Sequence, residues 1–230
     1  MSDTQLQTPK PPLIHIIRHG ESLHNIEHNY PHRDPPLTST GHTATRNIAI
    51  PATPDLLLIS PMTRTIQTAL NAFPFLQEPA PFPIEVQIWP ALREAHDAIC
   101  NVGVGRAALG AQFPQFDFSR CPEEWDHGPT TREGATARAE EVRVRLKELS
   151  ATYANIVLVT HRGFIAFLVK GRRFDVCDVR SFRFATGAEA EDGTARLGLH
   201  CEILEVQDFG PTLLVLHRGS DEIQSLADVG

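Results

Sequence analysis

The sequence predicts an α/β fold: a three-layer, doubly wound, mostly parallel sheet with helices on both faces and an irregular insertion covering the site. Three observations predict it. Apolar runs of strand length recur along the chain, segments of helical composition alternate with them, and chemically reactive residues follow several runs directly. In open α/β sheets the functional crevice lies at the carboxyl ends of the strands, so the third observation joins fold to chemistry.

The first run, Leu13 to Ile17, leads straight into Arg18-His19-Gly20-Glu21-Ser22 and reads as a buried parallel strand. Gly20 is expected to let the chain turn sharply after it. Further strands are expected at Asp55–Ile59, Ile84–Ile88, Ile156–Thr160 and Leu213–His217. Ser60 and Pro61 suit the N-cap and first position of a helix that continues from Met62 to Phe73. Thr131 caps a longer helix over Arg132–Ala151, rich in Ala, Glu, Arg and Leu. Gly163–Val169 starts another helix directly after the fourth run. Residues 1–12, with three prolines, read as a flexible leader, and 13–230 as a single domain. Within it, 95–130 mixes Gly, Pro and aromatic residues and reads as the cover insertion. An edge hairpin is expected near His200–Val206.

Bulk composition narrows the classes. The chain has 230 residues, 41 % of them hydrophobic, enough for one large core. A formal charge of −7 argues against holding nucleic acid by bulk electrostatics. Cys100, Cys121, Cys177 and Cys201 are widely spaced, which suits neither a disulfide framework nor a zinc site. No apolar run approaches the roughly 20 residues of a membrane span. A reducing, cytoplasmic setting is the expectation, with no membrane partner, and a homodimer is the default expectation for a soluble chain.

Arg18 and His19 follow the first strand, Arg64 lies one turn into the helix after the second, Glu94 follows the third by a short link, and His161 directly follows the fourth. Parallel pairing brings these ends to one sheet edge. Two arginines and two histidines then surround a space suited to a tetrahedral dianion. A histidine nitrogen can attack phosphorus and hold the phosphoryl group covalently. Arginines neutralise the non-bridging oxygens in fork geometry. A carboxylic acid can protonate the leaving alkoxide if its pKa is raised towards neutrality. This scheme uses neither metal nor cofactor.

The chain resembles the histidine phosphatase superfamily, also called the phosphoglycerate mutase-like family. The matching pieces, in the family's order, are Arg18-His19-Gly20-Glu21-Ser22 with Asn25, Pro36-Leu37-Thr38 before Gly41, Ser60-Pro61 before Arg64 and Gln67-Thr68-Ala69, Leu92-Arg93-Glu94, and Val159-Thr160-His161. The resemblance implies His19 as the phosphorylated nucleophile, with Arg18, Arg64 and His161 completing the phosphate pocket. It implies Asn25 and Ser22 as further phosphate or substrate contacts, and Glu94 as the proton donor. Arg162 departs from the pattern, since many relatives carry glycine there, and its role stays open. Residues 185–230 match only vaguely and leave room for a substrate-specific part.

Other residues have plainer readings. His15, between Ile14 and Ile16, reads as a packed core histidine. His24, His28, His32 and His42 read as solvated loop residues rather than metal ligands, with His28, His32 and Arg33 as alternative entrance residues. Phe113, Phe116, Phe118 and Trp125 read as packing of the insertion against the sheet, with substrate contact as the alternative. Alternating charges over Glu140–Lys147 read as a solvated helix face.

The leading function is metal-independent hydrolysis of a small-molecule phosphate monoester through phosphohistidine. A phosphoglycerate-type mutase is the alternative and needs extra basic residues in the cover. There, Arg106 and Arg120 face Asp97, Asp117, Glu123, Glu124 and Asp126, so the cover is net acidic and favours hydrolysis of an ester whose remainder is apolar or neutral. Arg132, Arg138 or Arg172 folding inward is the exception to that reading. An anion-binding protein without turnover, or a different reaction in the same pocket, are the remaining classes.

Overall fold

The strand bearing Arg18 lies inside the sheet, flanked on both sides. The structure, a computed structural model, describes residues 10–27, 29–125 and 131–217. Its strands are β1 (Leu13–Arg18), β2 (Leu56–Ile59), β3 (Glu85–Ile88), β4 (Asn155–Thr160), β5 (Val179–Phe184), β6 (Leu197–Leu199), β7 (Val206–Asp208) and β8 (Leu214–Leu216). Its helices are α1 (Leu23–Ile26), α2 (Ser39–Thr45), α3 (Thr63–Ala72), α4 (Arg106–Gln112), α5 (Arg132–Leu149), α6 (Arg162–Leu168) and α7 (Ala188–Glu191).

Six strands form one sheet in the order β3-β2-β4-β1-β5-β8. The first four of that order run parallel, and β5 is antiparallel to both β1 and β8. The sheet is therefore mostly parallel, as the sequence predicts. Successive strand residues point to opposite faces, and both faces are apolar. Ile14, Ile16, Leu56, Leu58, Ile156 and Leu158 pack against α5 and α6. Ile17, Leu57, Ile59, Val157 and Val159 pack against α3 and the insertion. Phe113, Phe116, Phe118 and Trp125 are all buried in that second layer. Residues 126–130 of the insertion, residues 1–9 of the leader and the chain beyond 217 lie outside the described residues.

Three elements differ from the sequence reading. β5 carries Arg180 and Arg183 and has one fully buried side chain, Phe182, so no apolar run announced it. The predicted hairpin exists, but its strands are β6 and β7, and His200–Glu205 form the turn between them. Backbone N–H groups of Glu202 and Ile203 approach the His200 ring at 3.2 and 3.4 Å, curling the chain there.

The third difference is the start of α3. Its cap position is Met62, not Ser60. The Ser60 hydroxyl is engaged with His161 Nε2 at 2.9 Å and cannot cap. Asp34, distant in sequence, caps instead: Oδ1 accepts from Thr63 N at 2.9 Å and Oδ2 from the Thr63 hydroxyl at 2.7 Å. Asp34 sits at φ 45°, a left-handed conformation that Asp tolerates better than most residues. Asp34→Ala removes the cap and is expected to cost about 1–2 kcal/mol in chemical denaturation, while Asp34→Asn keeps most of it. The predicted cap of α5 is as expected, with the Thr131 hydroxyl accepting from Gly134 N at 3.1 Å.

Candidate active site

Strand register assembles the site. Arg18 pairs with Thr160 and Ile59 with Val159, so His19, His161 and Ser60 leave the sheet side by side. The His19 and His161 ring centroids are 5.2 Å apart. The Thr160 hydroxyl donates to Leu92 O at 2.7 Å, which pins the link from β3 and hangs Glu94 over the same edge.

The motif residues around the histidines form a scaffold. Gly20 N donates to the Thr68 hydroxyl at 3.0 Å, and Leu37 N donates to Gln67 Oε1 at 2.8 Å, fixing α3 against the loop after β1. The Thr38 hydroxyl donates to Glu21 Oε1 at 2.6 Å and accepts from Gly41 N at 2.9 Å. A Cβ on Gly20 would lie 2.4 Å from Thr45 Cγ2, and one on Gly41 would lie 2.0 Å from Glu21 O. Gly20 thus serves close approach of α2, where the sequence suggested only a turn.

A cavity of about 450 Å³ opens at this edge, lined by Arg18, His19, His24, Asn25, Glu94, His96, Asn101, Arg162 and Arg173. Arg64 and His161 are fully buried beside it. Arg64 donates to Cys100 O at 3.1 Å and to Asn101 Oδ1 at 2.9 Å, and Arg18 donates to Phe174 O at 2.9 Å. Arg18 Nε, Arg64 Nε and His161 Nδ1 are buried without a hydrogen-bond partner. Buried donors left unpaired are costly, so the two guanidinium N–H groups favour an acceptor-rich group beside the cavity, and His161 Nδ1 joins them when the Ser60 hydroxyl donates to Nε2.

His19 Nδ1 lies 2.7 Å from Gly20 O. A carbonyl can only accept, so Nδ1 carries the proton and Nε2 presents its lone pair. Burial, then the Arg64 and Arg18 charges, hold His19 well below the usual histidine pKa; burial, then Arg64, do the same for His161. Burial also lowers the pKa of both arginines, partly offset by Glu94 at Arg18 and by Asp34 and then Glu94 at Arg64. Guanidinium groups start so high that they remain cations at neutral pH. The site thus sets two fixed positive charges beside neutral imidazoles.

His24 corrects the solvated-loop reading. It lines the cavity, its ring centroid lies 5.7 Å from that of His19, and its pKa is pushed down to about 3 by burial and then by Arg64 and Arg18. Ser22 is fully buried, with its hydroxyl 2.7 Å from His24 Nδ1 and its N–H donating to Asn25 Oδ1 at 3.0 Å. It supports His24 and Asn25 from behind, while Asn25 itself borders the cavity. His42 meets Asn71 Nδ2 at 2.9 Å and His32 lies against Tyr30, both away from the cavity, and His28 is outside the described residues. Arg33 donates to Gly103 O at 2.6 Å, tying its loop to the insertion. His15 is a core histidine, buried and 2.8 Å from the Ser181 hydroxyl.

Glu94 is held on three sides. Its Oε1 accepts from Ala95 N at 2.7 Å and its Oε2 from Gly163 N at 3.2 Å. Arg138 donates to the Ala91, Arg93 and Glu94 carbonyls at 2.8, 2.7 and 3.2 Å and stacks 4.2 Å over Phe164. A Cβ on Gly163 would lie 2.4 Å from Glu94 Oε1, so this glycine lets the carboxylate reach the edge.

The depressed histidines carry a pH signature. Below about pH 6.5 the unfolded chain takes up protons on these rings while the folded chain does not, so stability falls as pH drops. The slope is up to about 1.4 kcal/mol per pH unit for each histidine. Thermal melts between pH 7 and pH 5 are expected to show this loss, and added inorganic phosphate is expected to recover most of it at the acid end.

Residues 14–187 match the family model described as histidine phosphatase superfamily (branch 1). A protein of Schizosaccharomyces pombe named as a probable phosphatase is 32 % identical over 118 residues, spanning 48 % of this chain and 54 % of that relative. The α-ribazole phosphatase of Shigella flexneri superposes with a TM-score of 0.53 at 23 % identity, covering 76 % of this chain and 91 % of the other. Mycobacterial hydrolase 2 superposes with a TM-score of 0.52 at 16 % identity over 96 % and 98 % of the two chains. At these identities the solved structures speak for the fold.

Proposed function

The chain belongs to the histidine phosphatase superfamily, and we propose that it is a phosphoric monoester hydrolase working on a small molecule through phosphohistidine, without a metal. The observation that carries this reading is the polarity of His19. Its Nδ1 is committed to Gly20 O, and its Nε2 is unprotonated at a cavity where Arg18 Nε, Arg64 Nε and His161 Nδ1 lack partners. A tetrahedral dianion supplies acceptors for both guanidiniums, and for His161 with its proton on Nδ1, and meets the lone pair in the same place.

In the first step the Nε2 lone pair bonds to phosphorus as the ester P–O bond breaks. The proton of the Glu94 carboxylic acid passes to the leaving oxygen. In the second, water attacks phosphorus, the P–N bond breaks, and the Glu94 carboxylate takes the water proton. Inorganic phosphate leaves and His19 returns neutral. Arg18 and Arg64 hold the non-bridging oxygens in both steps.

Hydrolysis is favoured over mutase transfer by the cover's own arginines. Arg106 pairs with Glu123 at 3.2 Å and Arg120 donates to Gln87 at 2.7 Å, and neither lines the cavity. No described helix is long and apolar enough to cross a membrane. The four cysteines are free, which supports a reducing, cytoplasmic setting. The test is phosphate release from 4-nitrophenyl phosphate in chelator, with acid-labile label retained on the protein from a radiolabelled phosphodonor. Release without transient label argues against the covalent step, and neither release nor label removes phosphoryl transfer altogether.

A further inference from the structure

The three inward arginines considered in the sequence do not reach the cavity. Arg138 is buried against carbonyls, Arg132 pairs with Glu205, and Arg172 is exposed. Two others line it instead: Arg162, the departure from the family pattern, and Arg173, from the loop after α6. Both meet one atom from the turn between β6 and β7. Arg162 Nε lies 3.1 Å and Arg173 Nε 3.3 Å from Glu202 Oε1, on a side chain only 10 % exposed.

We propose that Arg162, Arg173 and Glu202 form a second subsite that recognises a carboxylate on the phosphate ester. Both arginines meet Glu202 through Nε, and among the described residues their terminal nitrogens have no hydrogen-bond partner. Glu202 Oε1 makes no well-aligned hydrogen bond, so charge gathers the guanidiniums without locking them in fork geometry. Their terminal N–H pairs are therefore available to a planar acceptor. Net charge selects the ligand. Two guanidiniums and one carboxylate leave a single positive charge, which matches a carboxylate and leaves a second phosphate dianion undercompensated. The cover's acidity pointed to an apolar or neutral ester; the basic groups come from the start of α6 and the loop after it, which the cover's composition does not report.

The proposal rests on the phosphatase reading for the phosphate half alone, so its test uses binding rather than turnover. Titration calorimetry compares phenylphosphonate with 2-, 3- and 4-phosphonobenzoate and with 1,4-phenylenebisphosphonate. We expect at least one phosphonobenzoate to bind about tenfold tighter than phenylphosphonate, the scale of one charge-assisted contact. Joint Arg162→Gln and Arg173→Gln replacement is expected to bring that ratio within about twofold of unity. Glu202→Gln, which frees both cations, is expected to move preference toward the bisphosphonate. A parent protein that binds all mono-phosphonates alike overturns the subsite, as does a double variant that keeps the preference. If the three groups only clamp the hairpin, every variant lowers melting temperature and none moves a binding ratio, which also overturns it. Failure of 4-nitrophenyl phosphate hydrolysis bears on the phosphatase reading and leaves these ratios readable.

Discussion

Alanine in place of His19 is expected to lower turnover of any phosphate monoester by at least about 10⁴-fold, because the proposed route forms its covalent intermediate on this ring. Arg18 and Arg64 would still hold phosphate, so binding of inorganic phosphate should survive where turnover does not. The substitution is not expected to unfold the protein. His19 is buried and uncharged, and among the described residues its ring has a single hydrogen bond, to Gly20 O. Labelling with an alkaline quench, which preserves the acid-labile P–N bond, separates the causes: the parent shows transient label and the variant none. Turnover near the parent rate in His19→Ala would mean that another residue attacks phosphorus.

Glu94→Gln is expected to act selectively. Alkyl phosphates, whose leaving oxygen needs a proton, should lose about 10²–10³-fold in kcat, whereas 4-nitrophenyl phosphate should lose less than about tenfold. Gly163→Ala reaches the same group by another route. Its new Cβ enters the space of Glu94 Oε1 and of His96 Nδ1, each 2.4 Å away. It should reproduce the alkyl-over-aryl signature in weaker form, with little change in denaturation midpoint. Equal losses on both ester classes in Glu94→Gln would remove the proton-donor role.

The parts of this site legible in the sequence are those whose chemistry is local. The middle of β4 is a continuous apolar run and that of β1 is broken only by His15, and the residues after them inherit a place at the sheet edge. The rest depends on contacts between distant segments. Nothing near His24 marks it as a wall residue, because its burial comes from packing beside His19 and from the hydroxyl of Ser22. The Ser60-Pro61 pair imitates a helix start, yet Ser60 is claimed by His161 and the cap arrives from Asp34. β5 hides behind two arginines. Arg162 was visible only as a departure; its partnership with Arg173 and Glu202 needed the folded hairpin.

The register that sets Arg18 opposite Thr160 has a consequence for how activity is acquired. His19 and His161 are 142 positions apart in the sequence, and parallel pairing of β1 with β4 is the long-range event that joins them. Non-local pairings of this kind form slowly. In a refolding experiment helical signal should return early, carried by α5 and α3, while competence to bind phosphate waits for the central strands to meet. A chain cut before β4 would keep Arg18, His19, Arg64 and Glu94 yet lose His161 and the Thr160 hydroxyl that pins the Glu94 link. Recovery of catalysis is thus a direct clock for closure of the sheet's central pair.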